Sequence, residues 1–364
     1  MREKKRHFPL AVIGLLILTC LYGCKQEKNK SAMQADTNKG TEKRIQLVRD
    51  DAQNKVSVMI EGKLFTAYLY PDNIKKPILY PLITPQGSNI LRKYPMEPSV
   101  GERVDHPHQV GVWFNYGDVN GLDFWNNSDS IKLEIRERSG TIVHKDILNM
   151  NEGDEQASLE VAMDWIAPDG EVLLNENTIF IFQGRDDEYS VDRITKLTAT
   201  NKKIIFKDNK EGMLGIRVAR ELEHPSDKPD IFTDANGIPT AVPVLNNEGV
   251  NGNYINSEGI QGNDVWGKRS DWVNLTSSIG EEKISLVILD HSGNAGYPTY
   301  WHARGYGLFA ANPLGQEVFS DGKESLNLSL EPGEDITFKH RIIVASKDMG
   351  KSQLDSRFAQ FSKE

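Results

Sequence analysis

From about residue 44 onward, apolar and polar side chains alternate with a period of two, and the apolar positions favour β-branched and aromatic residues. That pattern is the mark of strands with one buried face. Val56-Ser57-Val58-Met59-Ile60, the turn Glu61-Gly62-Lys63 and Phe65 to Tyr70 predict a hairpin. Ile131 to Arg138, Ser139-Gly140 and Thr141 to Leu148 predict a second. Ser158 to Ile166, Ala167-Pro168-Asp169-Gly170 and Val172 to Gln183 predict a third, with long strands. Further strands are expected at 188–199, 202–206, 213–221, 283–290, 307–311, 325–330 and 336–345. Only Lys351 to Ser362 has a helical pattern, with Leu354, Phe358 and Phe361 at spacings of four and three. No repeat or low-complexity linker divides this body, so residues 46–364 are expected to form one all-β domain. Its expected form is a large two-sheet antiparallel β-sandwich with a short C-terminal helix. Two stretches break the rhythm, 84–127 and 224–272, both rich in Gly, Asn and Pro. Loops that long inside a compact domain are usually functional or disordered, and Trp113, Trp125, Trp266 and Trp272 argue against disorder.

The N-terminus follows another pattern. Arg2, Lys4, Lys5 and Arg6 precede an apolar run from Phe8 to Leu21, too short for a comfortable membrane span. Leu21-Tyr22-Gly23-Cys24 then matches a lipobox, with a small residue before the scissile bond. Residues 1–23 are therefore expected to be a lipoprotein signal peptide, and Cys24 the lipidated N-terminus of the mature chain. Residues 24–45 are polar and read as a flexible tether. Lys25 after the acceptor favours the outer membrane, with the leaflet open, so the expected location is the cell envelope.

Composition narrows the chemistry. Loss of residues 1–23 removes four basic side chains and one acidic one, moving the formal net charge from −9 to −12. A chain this acidic repels phosphate backbones, so nucleic acid is not an expected partner. Cys20 and Cys24 are the only cysteines, which leaves no thiol or disulfide chemistry for the folded body. Elbow, zincin, phosphate-loop and dinucleotide signatures are absent.

Three clusters carry candidate chemistry. Asp105-His106-Pro107-His108-Gln109 places two histidines two residues apart, on one side if the segment is extended. Such a pair suits acid–base work or metal binding, with Asp105 orienting an imidazole. Asp290-His291-Ser292-Gly293-Asn294 and Tyr300-Trp301-His302-Ala303-Arg304-Gly305-Tyr306 add a carboxylate, a histidine and an arginine suited to a polyhydroxylated or anionic ligand. Trp266-Gly267-Lys268-Arg269-Ser270-Asp271-Trp272 offers aromatic faces of the kind that stack on sugars. Glu211 and Arg217 are candidates for the same face.

These blocks, with Pro77-Ile78-Leu79-Tyr80-Pro81-Leu82, Trp113-Phe114, Gly117-Asp118-Val119-Asn120-Gly121, Phe124-Trp125, Tyr306-Gly307-Leu308-Phe309 and Asn312-Pro313-Leu314-Gly315, resemble the PmoA-like family of exported bacterial proteins. The resemblance covers about residues 50 to 345. It departs at Gln109, where the family usually has a third histidine. The resemblance implies a galactose-mutarotase-like supersandwich and a role beside sugar-processing enzymes. On that footing His106, His108 and His302 are expected to move protons, and Asp105 and Asp290 to orient them. Arg217, Arg304, Trp266, Trp113 and Asn120 are expected to bind a carbohydrate, for epimerase, lyase or hydrolase chemistry. A non-catalytic sugar-binding lipoprotein uses the same residues. A metal-dependent oxygenase, as the family's label suggests, would hold a divalent metal with His106, His108 and a carboxylate.

Overall fold

The computed structural model describes residues 43–97 and 99–364. The expected signal peptide, Cys24 and most of the tether lie outside the described residues. Among the described residues, eighteen strands occur in chain order. They begin with β1 (Ile45–Asp50), β2 (Lys55–Ile60), β3 (Lys63–Leu69), β4 (Ile78–Leu82) and β5 (Val112–Tyr116). The long strands β6 (Thr141–Asn151), β7 (Gln156–Ile166), β8 (Val172–Arg185) and β9 (Glu188–Ala199) follow. Next come β10 (Ile204–Phe206), β11 (Gly212–Arg217), β12 (Asn253–Asn256), β13 (Trp272–Ile279) and β14 (Glu282–Asp290). The set ends with β15 (Tyr300–Ala303), β16 (Leu308–Asn312), β17 (Leu328–Leu330) and β18 (Asp335–Ala345).

Two eight-stranded antiparallel sheets hold most of them, in the orders β1-β2-β3-β4-β5-β11-β16-β15 and β12-β13-β14-β18-β9-β8-β7-β6. The fold is the all-β, two-sheet sandwich that the periodicity implies. Aromatic side chains close the gap between the sheets: Phe65 packs on Phe182, Tyr68 on Phe180 and Phe114 on Phe338. The outer face of the second sheet is covered by a helix, Lys351–Phe361, whose Leu354 and Phe361 bury against Trp272, Leu289 and Ile343. Among the described residues, no helix is long and apolar enough to cross a membrane.

The departures have physical causes. Residues 131–138 alternate as a strand would, yet Leu133–Arg136 form a helical turn with Leu133 exposed. Alternation shows an amphipathic segment but not whether a neighbouring strand is available to pair with it. Conversely, β5, β11, β15 and β16 are buried at every position. One face meets the second sheet and the other lies beneath long loops, so no polar alternation survives to mark β5 within 84–127.

Candidate functional site

The outer face of β15, β16, β11 and β5 is the floor of the candidate site. The register places His302 opposite Ala310, Ala310 opposite Gly215, and Gly215 opposite Trp113, so these four share one face. Gly215 is required there: a Cβ on it would meet the Trp113 ring at 2.5 Å. Arg217, two residues on from Gly215, lies on the same face and is fully buried by the loop above.

That loop is held by a second buried guanidinium. Arg92 donates to the carbonyls of Asp105 at 2.7 Å, and of His106 and Gln109, both at 2.9 Å. It also reaches Asp105 Oδ1 at 3.0 Å. Convergence of backbone carbonyls on one planar cation fixes the shape of the 105–109 turn. Within it, His106 has a positive φ of 45°, and Gln109 N–H donates to its carbonyl at 2.9 Å. The reversal turns the two rings edge to face, with centroids 5.7 Å apart and His106 partly exposed. The side-by-side arrangement expected for an extended segment does not form.

Asp105 and His106 form a pair. Asp105 Oδ2 lies 2.5 Å from His106 Nδ1, while Oδ1 accepts from Arg217 Nη2 at 2.5 Å. Burial alone would push the Asp105 carboxyl up, but the contact with His106 and the Arg217 and Arg92 guanidiniums hold it well below the usual carboxylate range. A fixed carboxylate at Nδ1 leaves Nε2 as the working nitrogen, and no described residue hydrogen-bonds to it. His106 stacks on Tyr306 at 5.0 Å, with the ring planes 5° apart.

Tyr306 forms one wall of a polar cleft of about 460 Å³ that also includes Arg304, Trp266, Asn263, His224 and Lys228. The Arg304 guanidinium lies 5.6 Å from the Trp266 ring and 5.8 Å from that of Tyr306. It is exposed, and no described carboxylate pairs with it. His302 is buried under this face, with Nδ1 3.0 Å from the Lys210 carbonyl and 4.0 Å from Glu211. Burial, then the charges of Arg304 and Lys210, lowers its pKa to about 3, so it stays neutral at ordinary pH.

The structure thus gathers Asp105, His106 and Arg217 behind Tyr306, a wall residue of the cleft, and puts Arg304 and Trp266 in the cleft itself. Three expected members lie elsewhere. Asp290 ends a strand of the second sheet, accepts from Asn294 at 2.6 Å and Thr299 at 3.1 Å, and faces His340 at 3.5 Å. It orients none of the three proposed histidines. Trp113 is fully buried under Trp125 and Lys76, so its ring face is closed to a ligand. Asn120 bonds to the backbone of Lys203 and Ile205, bracing β10. Among the described residues, no group of three or more His, Cys, Asp or Glu is arranged to hold a metal. Asp105 is committed to His106 Nδ1 and to the Arg217 and Arg92 guanidiniums, so it is not free to complete the expected His106–His108–carboxylate triad.

Arg92 matters although the sequence did not single it out; only the fold brings it, and Tyr306 of the second cluster, to the 105–109 turn. Gln109 is buried, and its Oε1 accepts from Arg217 Nη1 at 2.6 Å, so it acts as a structural acceptor.

Residues 55–359 match the model of a family of unknown function, DUF6807. No curated protein matches the chain. Among solved structures, the galactosidase domain of the α-galactosidase–sucrose kinase AgaSK is similar over 83% of this chain and 42% of that one, at 8% identity and a TM-score of 0.41. The α-galactosidase AgaB from Geobacillus stearothermophilus is similar over 83% and 41%, at 9% identity and a TM-score of 0.38. This chain spans about two fifths of the length of either one. A galactose mutarotase-like protein from Clostridium acetobutylicum is similar over 83% and 98%, at 10% identity and a TM-score of 0.33.

Proposed function

Starting from the premise that the chain belongs to this family of unknown function, DUF6807, we propose that it is a cell-envelope lipoprotein that performs acid–base chemistry on a carbohydrate. The observation that carries this reading is the Asp105–His106 pair, 2.5 Å apart, with His106 stacked on Tyr306 in the wall of a polar cleft. A carboxylate held ionised by two guanidiniums keeps the imidazole in one tautomer and orientation. Nε2 then accepts or returns a proton at a ligand in the cleft. Trp266 supplies a ring face for sugar C–H groups, and Arg304 supplies donors for hydroxyl or carboxylate oxygens. His302, neutral and buried, positions the floor of the cleft.

The lipobox at Leu21 to Cys24 supports tethering at the outer membrane, where glycans arrive, and the PmoA-like motifs support a place beside sugar-processing enzymes. Calorimetric titration of the purified protein with a panel of neutral and acidic oligosaccharides tests the ligand class. At least one glycan is expected to bind, with Trp266→Ala and Arg304→Ala each weakening it about tenfold, the ~1.4 kcal/mol scale of one well-placed contact. Binding that neither variant weakens would remove the cleft from the account, and no binding across the panel would remove the carbohydrate.

A further inference from the structure

A second pocket, of about 220 Å³, lies beside the same turn but away from the residues that line the cleft. Its walls include Ile74, Pro95, Met96, Pro107, Val110 and His108, and Lys76 is part of them. Lys76 is only 2% exposed. Its Nζ donates to the His108 carbonyl at 2.7 Å and lies 5.4 Å from the Trp113 ring centroid. No described carboxylate lies within 4.0 Å of it. The acidic group at this pocket, Asp129, is taken by the neighbouring Lys75 at 2.5 Å. A buried lysine without a counter-charge is costly, and structural lysines are almost always paired or solvated. A second polar group in the same wall is also unsatisfied: His108 Nε2 is buried with no hydrogen-bond partner.

We propose that Lys76 is a nucleophilic amine that captures a small aldehyde or ketone entering this pocket. The apolar walls disfavour a charged body, and the His108 carbonyl and Trp113 ring hold Nζ in place. The step balances without a co-reactant. The Nζ lone pair bonds to the carbonyl carbon, and the π pair moves to oxygen, which is protonated. Water then leaves as the carbon–nitrogen double bond forms, Nζ having given up both protons of the free amine. Burial lowers the Lys76 pKa to about 7, so much of the amine is unprotonated near neutrality, as imine formation requires. Burial, then the charge of Lys76, lowers that of His108 to about 2, which keeps the imidazole neutral. This site is independent of the Asp105–His106 reading and stands or falls separately.

The test is reductive trapping. The purified protein is incubated with glycolaldehyde and sodium cyanoborohydride at pH 7, and lysine adducts are mapped by peptide mass spectrometry. Lys76 is expected to react at least about tenfold faster than exposed lysines such as Lys145, with a rate midpoint near its own lowered pKa. Met96→Trp, which fills the pocket, is expected to slow Lys76 alone. Labelling of Lys76 no faster than that of exposed lysines, or equally fast in Met96→Trp, would overturn the proposal.

Discussion

Arg217 Nη2 and Asp105 Oδ1 stand 2.5 Å apart, a fully buried guanidinium holding the carboxylate whose other oxygen meets His106. The contact joins the floor of the first sheet to the loop above it. It fixes the direction of His106, whose ring stacks on Tyr306 in the cleft wall.

Removal of the cation should therefore cost stability as well as function. Arg217→Met is expected to destabilise the fold by about 3 kcal/mol, because a largely buried carboxylate loses one of its two cations. Urea denaturation checks the value; a change below about 0.5 kcal/mol would show the pair to be energetically idle. Since the folded-state pKa of Asp105 is depressed, its contribution is present above the unfolded value of 3.8 and lost as pH falls below it. Asp105→Asn should flatten that acid limb of the stability profile.

Gly215 is the hinge of the packing beneath. Gly215→Ala forces a Cβ to 2.5 Å from the Trp113 ring, and overpacking of this kind costs roughly 1–3 kcal/mol. Tryptophan emission and the denaturation midpoint should shift together. An unchanged midpoint would mean that Trp113 has room the structure does not show.

The sandwich was legible in the sequence because β7, β8, β9 and β18 each keep one face polar enough to alternate. The site was legible only in part. The Asp105-His106 dipeptide stands out by composition, but its turn depends on Arg92, unremarkable in context, and its cleft on Tyr306, two hundred residues away. Asp290 looked catalytic because it follows a buried apolar strand. The same run, Ile284 to Leu289, carries it into the second sheet beside His340 instead.

Asp290 and His340 give the core a pH signature. Burial raises the Asp290 pKa from 3.8 to about 7, so this group favours the folded state on acidification across that window. Burial lowers the His340 pKa from 6.5 to about 3, so this group disfavours the folded state on acidification between those values. The two slopes oppose one another between about pH 4 and 6.5. Relative to the parent, Asp290→Asn should steepen the loss of stability as pH drops through that window; His340→Gln should lessen it. Thermal melts across the range decide it, and parallel profiles for the two variants would refute the pairing.

Gln109 is expected to matter as an acceptor. Gln109→Leu leaves an Arg217 N–H without a partner and should cost about 1–3 kcal/mol. Gln109→His should recover stability at high pH, where a neutral imidazole presents an acceptor nitrogen, and lose it in acid. Denaturation at two pH values checks both; equal stability of Gln109→Leu and the parent would contradict the role.

The central claim, that His106 moves a proton for a ligand held in the cleft, is tested most directly by comparing turnover and binding in His106→Ala with a glycan the protein binds and converts. The account predicts a rate lower by about 10²–10⁴, with the dissociation constant changed by less than about threefold. Undiminished turnover in His106→Ala would contradict it.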